Sequence, residues 1–251
     1  MKSLVCLLVL FCGALCYAQT RSTTLPLSDT SSPKQQFIAF EGSITFSEQV
    51  TDGKVLQTQT TTASGTVLSE KPIVALVAHF EWFGFGGDRS VSSARHDHFF
   101  GAQDLTKGLS IDFLVPEGNV LTMPQGEVPT NDNNGAVPAS KYTVELAFVQ
   151  FADGTIWGDK NIGDELTAQR ADITAYLQHL VSAYESGDKE SFVAAMELAP
   201  VSTKHQQRTS AFAVRKHVQM IQSQSGREAA IAFVRDELTN AAARRASGNF
   251  Q

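Results

Sequence analysis

The sequence is poor in cysteine, and its three cysteines, Cys6, Cys12 and Cys16, all lie within the first 16 residues. The rest of the chain can therefore form no disulfide and no thiolate metal site. This excludes cysteine proteases, thioredoxin-like proteins and zinc fingers from the part that follows. About 230 residues are enough to bury a core without disulfides.

Long apolar runs are also scarce. The longest, Leu4 to Cys16, contains a single glycine and is shorter than the roughly 20 residues that a membrane-spanning helix needs. Lys2 precedes this run, and Cys16-Tyr17-Ala18 follows with small residues at the two positions that a signal peptidase recognises. We therefore predict a cleaved signal peptide over residues 1–18. The mature chain would have no transmembrane segment, and its location would be extracytoplasmic, either periplasmic or secreted.

A basic excess is missing as well, since the formal net charge is -6. The acidic surplus lies in the first half of the chain, and acidic and basic residues balance from residue 164 onward. Neither half has the positive charge that phosphate backbones require, so nucleic acid is excluded as a partner. The chain also lacks Asn-x-Ser/Thr glycosylation sites, which favours a bacterial source.

The segment after the signal peptide, residues 19–36, is rich in Ser, Thr, Pro and Gln, and this composition predicts a flexible leader. Hydrophobic alternation with a period of two begins at Phe37, with Gly42 as a candidate bulge. Asp52-Gly53 is typical of a hairpin turn. The Thr-rich stretch 55–62 after it predicts an exposed or edge strand.

Further strands are predicted as far as residue 160. Ile73 to Phe83 has the strongest alternation, and Asp153-Gly154 predicts a tight turn between two strands near the end of the region. The other predicted strands are Leu109 to Val115, Val120 to Met123 and Tyr142 to Phe151. Short strands separated by turn residues predict an antiparallel β-sandwich over residues 37–160.

The hydrophobic period becomes helical after Gly163. Apolar residues recur at three- and four-residue steps from Ile173 to Tyr184, and Gly187 is expected to end that helix. Shorter helical patterns follow at Asp188 to Leu198 and Gln206 to Gln222, and Ser225-Gly226-Arg227-Glu228 resembles a capping box for a last helix. The predicted fold class is α+β, with the sandwich followed by a helical region over residues 164–251.

The best metal candidate is His96-Asp97-His98, because two histidines separated by one residue lie on the same face of a strand. His79, with Glu81, is the candidate source of further ligands. Two exposed histidines at a strand end are the more ordinary interpretation, and we expect no cofactor. A pair of carboxylates that cleaves glycosides is a further hypothesis, and its candidate residues are Glu81, Asp88, Asp97, Asp104 and Asp112.

No nucleophile elbow, phosphate-binding loop or dinucleotide-binding motif occurs in the sequence, so we assign no catalytic residue. Aromatic residues near the strongest strand are the alternative signal. Phe83 is out of phase with the core-facing residues of that strand, and Phe85 lies in a glycine-rich loop. Both are candidate binding residues, because an exposed aromatic ring provides a large contact area at low entropic cost.

The segments Lys71 to Ala75, Gly108 to Phe113 and Val149 to Gly158 together resemble uncharacterised secreted bacterial proteins with a fibronectin- or immunoglobulin-like sandwich. The resemblance covers roughly residues 70 to 160 and implies the fold and the compartment, but no catalytic motif.

These observations favour a non-enzymatic extracytoplasmic protein that binds or interacts with a protein or an envelope ligand. A metal-dependent or carboxylate-based hydrolase, centred on His79, His96 and His98, is the first alternative. The second is a secreted protease inhibitor or regulator that uses a protruding loop over residues 84–93.

Overall fold

A computed structural model describes residues 19–31, 36–51, 54–83, 89–115, 121–124, 141–187, 189–197, 205–247 and 250. The predicted signal peptide, Phe85 and the whole polar stretch 125–140 lie outside these described residues. The described part has mixed α and β content, with two mainly antiparallel β-sheets followed by four helices. Among its helices, none combines the length and the apolar character that crossing a membrane would require.

The strands form two sheets of five strands each. The first sheet has the order β1-β3-β4-β7, with β8 also paired to β4, and the second has the order β10-β9-β5-β6, with β2 also paired to β9. The strands are β1 (Gln19–Pro26), β2 (Ser28–Asp29), β3 (Ile38–Thr51), β4 (Lys54–Val67), β5 (Ile73–Phe83), β6 (Arg89–Asp97), β7 (Ser110–Asp112), β8 (Leu121–Pro124), β9 (Tyr142–Phe151) and β10 (Ile156–Gly158).

The long hairpin β3–β4 dominates the first sheet. Its register is unbroken from the pair Ile38–Val67 to the pair Thr51–Lys54, so the bulge that we expected at Gly42 is absent. Glycine is needed at position 42 for a different reason. A Cβ atom there would lie 2.2 Å from the carbonyl oxygen of Thr62 on the neighbouring strand.

The expectation of a flexible leader over residues 19–36 is wrong for its first half. Residues Gln19–Pro26 form β1, which pairs antiparallel with β3 along its whole length, from Gln19–Val50 to Pro26–Ser43. Ser28 and Asp29 then form β2, a short parallel pairing with β9 in the second sheet. This segment has few apolar residues to bury, and backbone pairing with an existing strand holds it in place instead.

The two sheets share one hydrophobic core. Ile44, Phe46 and Val67 from the first sheet pack with Phe80 and Leu146 from the second, and all five side chains are buried. Alternation along β5 directs its even-numbered residues from Leu76 to Trp82 into this core. The predicted core face of β5 is therefore confirmed from Leu76 to Trp82, whereas Val74, expected on the same face, packs on the helical side beyond a register shift at Ile73–Ala75. The strand order of the two sheets does not confirm an immunoglobulin-like topology.

Four helices follow the strands: α1 (Lys160–Glu185), α2 (Lys189–Glu197), α3 (His205–Ser225) and α4 (Arg227–Ala246). They pack on the opposite face of the second sheet, where Leu166 of α1 covers Ala75, Val77 and Phe148. A second cluster joins Val74 and Phe99 to the apolar faces of the helices.

The structure also shows how the helices begin. The side chain of Asp159 accepts a hydrogen bond of 2.9 Å from the backbone N–H of Asn161 and so caps α1. The capping box expected for α4 is not formed, because Gly226 occupies the cap position and no side chain bonds there. Gly187 has a φ of +78° after the end of α1, in agreement with the expected glycine stop.

Candidate functional site

The three candidate histidines do not converge. In β6, His96 lies opposite Leu76 of β5, and paired residues of neighbouring strands point to the same side of a sheet. Leu76 faces the core between the sheets, so His96 does too, whereas His79 is three residues further along β5 and faces the opposite side. Among the described residues, no group of three or more His, Cys, Asp or Glu side chains is placed to hold a metal ion.

His96 and His98 do lie together. Their ring centroids are 6.3 Å apart with planes inclined by 15°. Nε2 of His96 lies 3.1 Å from the backbone carbonyl oxygen of Asp112, and the edge of the His96 ring meets Phe113. Burial, reinforced by the neighbouring His98, lowers the pKa of His96. Since a carbonyl oxygen can only accept, Nε2 of His96 donates this hydrogen bond from one sheet to the other, and the lowered pKa favours the neutral ring.

The candidate carboxylates are largely engaged in ion pairs. Glu81 accepts a hydrogen bond of 2.6 Å from Arg89 and has Lys141 3.5 Å away. Asp97 pairs with Arg170, and Asp104 pairs with Arg244 at 2.6 Å. Asp88 lies outside the described residues. The ion pair with Arg89 lowers the pKa of Glu81, which favours its ionised form over that of a proton donor.

Of the two aromatic candidates, Phe83 is the last residue of β5 and pairs with Arg89. It is partly exposed, as its position out of phase with the core predicted. Phe85 lies in a segment that the structure does not describe. Of the two candidate binding residues, Phe83 is therefore the one that lies among the described residues.

A feature that was not predicted as a unit covers the outer face of the first sheet. Register pairs align the outward side chains of β1, β3 and β4 in three rows across the strands. The rows are Ser22–Ser47–Thr58, Thr24–Thr45–Thr60 and Pro26–Ser43–Thr62. We call the eight Ser and Thr residues of these rows the hydroxyl face.

The hydroxyl face is a regular grid. Neighbouring strands in a sheet are about 4.8 Å apart, and alternate residues along a strand about 6.7 Å apart. Neighbouring hydroxyls bond across the strands, with Thr24 and Thr45 oxygens 3.0 Å apart and those of Ser43 and Thr62 3.3 Å apart. All eight residues are at least partly exposed.

The hydroxyl face carries no charge and no aromatic ring. Among the described outward positions of these three strands, the charged residues are Glu41, one row beyond Thr62, and Lys54, two rows beyond Thr58. Edge strands of soluble proteins, such as β1, commonly carry Lys or other charged residues. The sequence signal was the Thr-rich stretch of β4. Its partners on β1 went unrecognised because residues 19–36 were expected to be a flexible leader.

A second polar feature lies between the second sheet and the helices. The side chain of Arg170 on α1 is only 5% exposed and forms two hydrogen bonds with Asp97 of β6, of 2.8 and 3.0 Å. Its third nitrogen donates to Gln150 of β9 at 2.6 Å. The guanidinium carbon lies 4.4 Å from the ring centroid of Phe99. One side chain thus connects α1 to two strands.

Comparisons with protein-family models, with curated proteins and with solved structures found no match for this chain.

Proposed function

We propose that this chain is a non-enzymatic, extracytoplasmic binding protein that uses the hydroxyl face to bind an uncharged polysaccharide. The observation that carries the proposal is the three-row grid of Ser and Thr side chains on β1, β3 and β4. Binding of this kind depends on no metal and on no catalytic residue.

The chemistry of the face matches that of a sugar polymer. Each hydroxyl can donate one hydrogen bond and accept two, as sugar hydroxyls also do. The β-branched threonines have few rotamers, so little side-chain entropy is lost when they bind. One hydrogen bond contributes only about 1 kcal/mol, and many must therefore form at once. A polymer with repeated hydroxyl groups supplies them, whereas a single sugar does not.

The charge distribution favours an uncharged ligand. The chain is acidic in its β region, and the grid itself has no cation that would attract a phosphate or a uronic acid. Binding by neutral hydroxyls should therefore depend little on ionic strength, unlike binding by charged patches.

The test is binding of the mature protein to insoluble neutral polysaccharides and to soluble oligosaccharides of increasing length. Thr24→Val, Thr45→Val and Thr60→Val together remove the middle row of hydroxyls and keep the β-branched shape. We expect this triple variant to bind roughly tenfold more weakly or worse, since three hydrogen bonds are lost. The control is Thr106→Val with Thr239→Val, which removes two exposed hydroxyls elsewhere.

Equal binding by both variants would contradict the proposal, as would binding that weakens steeply with added salt. Affinity that does not rise with oligosaccharide length would also contradict it, because the grid predicts many weak contacts rather than one strong one.

The absence of aromatic rings supports a second candidate, which is adsorption to ice. Carbohydrate surfaces often stack sugars on aromatic rings, and the described outward positions of these strands have none. A repeating array of hydroxyl and methyl groups can instead order water. If the unaltered protein inhibits ice recrystallisation, binds no polysaccharide, and loses the inhibition in the triple variant, the hydroxyl face binds ice rather than sugar.

The compartment belongs to the same proposal. Cleavage after Ala18 would leave Gln19, the first residue of β1, as the new amino terminus, so the strand would stay whole. Mass spectrometry of the exported protein should find this terminus, and an intact signal segment would contradict it. The resemblance to fibronectin- or immunoglobulin-like proteins is not needed for this proposal, and the hydrolase and the protease inhibitor stay predictions from the sequence.

A further inference from the structure

A small cleft lies where α1, the end of α4 and the chain after β6 meet. Its volume is about 40 Å³, and it is lined by Phe99, Thr167, Arg170, Arg245 and Phe250. A single water needs about 10–15 Å³ of such a cavity, so the cleft has room for about three waters. It lies on the helical side of the second sheet, away from the hydroxyl face.

Two guanidinium groups line this cleft. Arg170 is held in place by Asp97 and Gln150, and each of its two terminal nitrogens uses one N–H in these bonds and carries a second. Arg245 is exposed and donates to the Thr174 hydroxyl at 2.9 Å. Both guanidinium carbons lie near one ring, at 4.4 Å and 5.5 Å from the centroid of Phe99.

The charges around the cleft are unbalanced. Asp97 compensates Arg170, but within the described part of the chain no carboxylate lies within 4.0 Å of the Arg245 guanidinium. Arg95 on β6 adds a further cation in the same polar cluster, where it donates to Gln169, and Glu165 acts on Arg95 electrostatically as Asp97 does. The three guanidinium groups of Arg95, Arg170 and Arg245 thus face two carboxylates, those of Asp97 and Glu165. A bound anion would offset this excess of positive charge.

We propose that this cleft binds the carboxylate of a small organic acid or of a longer molecule that ends in one. A planar carboxylate matches the paired N–H groups of a guanidinium. The cleft is large enough for this group and its first carbon. Phe250, which is partly exposed and whose ring centroid lies 5.7 Å from that of the buried Phe99, offers an apolar contact to the part that follows. This site is independent of the polysaccharide proposal, because it uses other residues on another face.

The experiment measures the melting temperature of the mature protein with benzoate and with benzamide, its uncharged counterpart. We expect saturating benzoate to raise the melting temperature by about 2–4 °C and benzamide to leave it unchanged. Arg245→Gln should abolish the rise. Arg235→Gln, which changes an exposed arginine on the same helix that bonds to Glu185, should retain it.

A benzoate shift that persists in Arg245→Gln would overturn the proposal, as would an equal shift with benzamide. An equal shift with inorganic phosphate would overturn the carboxylate assignment, since it would show a site for anions in general. The triple variant of the hydroxyl face should retain the benzoate shift, so failure of one proposal can be told from failure of the other.

Discussion

At the scale of single residues, Glu237 on α4 is the described carboxyl group whose pKa is raised most strongly. Burial, with repulsion from the neighbouring Asp236, raises its pKa from 4.5 to about 7. The folded protein therefore retains this proton at pH values where the unfolded chain has lost it. Stability from this group is fully present below pH 4.5 and decreases as the pH rises toward about 7.

Glu237→Gln should therefore stabilise the protein at pH 8 and change little at pH 4. We expect a gain on the order of 1 kcal/mol at pH 8, a value reduced because Glu237 is only partly buried. Urea denaturation of both proteins at the two pH values measures it. A gain of equal size at both pH values would show that lost packing or hydrogen bonding, rather than ionisation, explains the effect.

The histidines show which side-chain positions can be predicted from the sequence and which cannot. Alternation correctly grouped His96 with His98, because one intervening residue on a strand returns the side chain to the same face. It could not place His79, since the opposite partner of His96 is set by the register between β5 and β6. If that register shifted by one residue, His96 would face the same side of the sheet as His79. The pairing of Arg170 with Asp97, 73 residues apart, was beyond prediction for the same reason.

At the scale of elements, the junction of β10 and α1 depends on Gly158. Its φ is +98°, a region that side chains disfavour, and a Cβ atom there would lie 2.1 Å from the backbone oxygen of Ala147. That oxygen also accepts the N–H of Asp159, the residue that caps α1. The backbone therefore has little room to move away from an added methyl group.

Gly158→Ala should lower the free energy of unfolding by at least about 2 kcal/mol more than Gly187→Ala does. Gly187 is a matched control, because its φ of +78° carries a similar backbone penalty while an added Cβ would meet no atom within 4 Å. Urea denaturation of the two variants compares them directly. Equal losses of unfolding free energy in the two variants would mean that the backbone moves away from the added methyl group at no energetic cost.

Elements with a clear hydrophobic period were predictable. α1 buries one face, and β5 alternates between buried and partly exposed residues from Ala78 to Phe83, so their periods of about 3.6 and two residues follow from that burial. β1 was missed because its Ser, Thr and Pro composition is also typical of a flexible segment. Cross-strand backbone pairing holds it, and hydrophobic periodicity does not report such pairing. The hydroxyl face could not be predicted without β1.

At the scale of the whole molecule, the second sheet is covered on both faces. One face packs against the first sheet, and the other packs against the helices, where Val77 and Phe148 are almost fully buried. Apolar residues on both faces explain why the central strand β5 is an almost continuous buried run from Ile73 to Ala78. The sequence indicated strands followed by helices, but it did not show which surface the helices cover.

A chain that ends at residue 158 should therefore fail to fold as the full chain does. Removing the helices would expose Ala75, Val77, Phe148 and the polar side chain of Asp97, which would lose its partner Arg170. The main cost is the apolar surface returned to water, because a carboxylate that becomes exposed is hydrated in place of its ion pair. We expect residues 19–158 to bind hydrophobic dyes and to lack a cooperative urea transition, while residues 19–251 unfold cooperatively. A cooperative transition in the shorter chain would show that the two sheets are stable alone, and the helices would then be an addition to a complete β domain rather than its third layer.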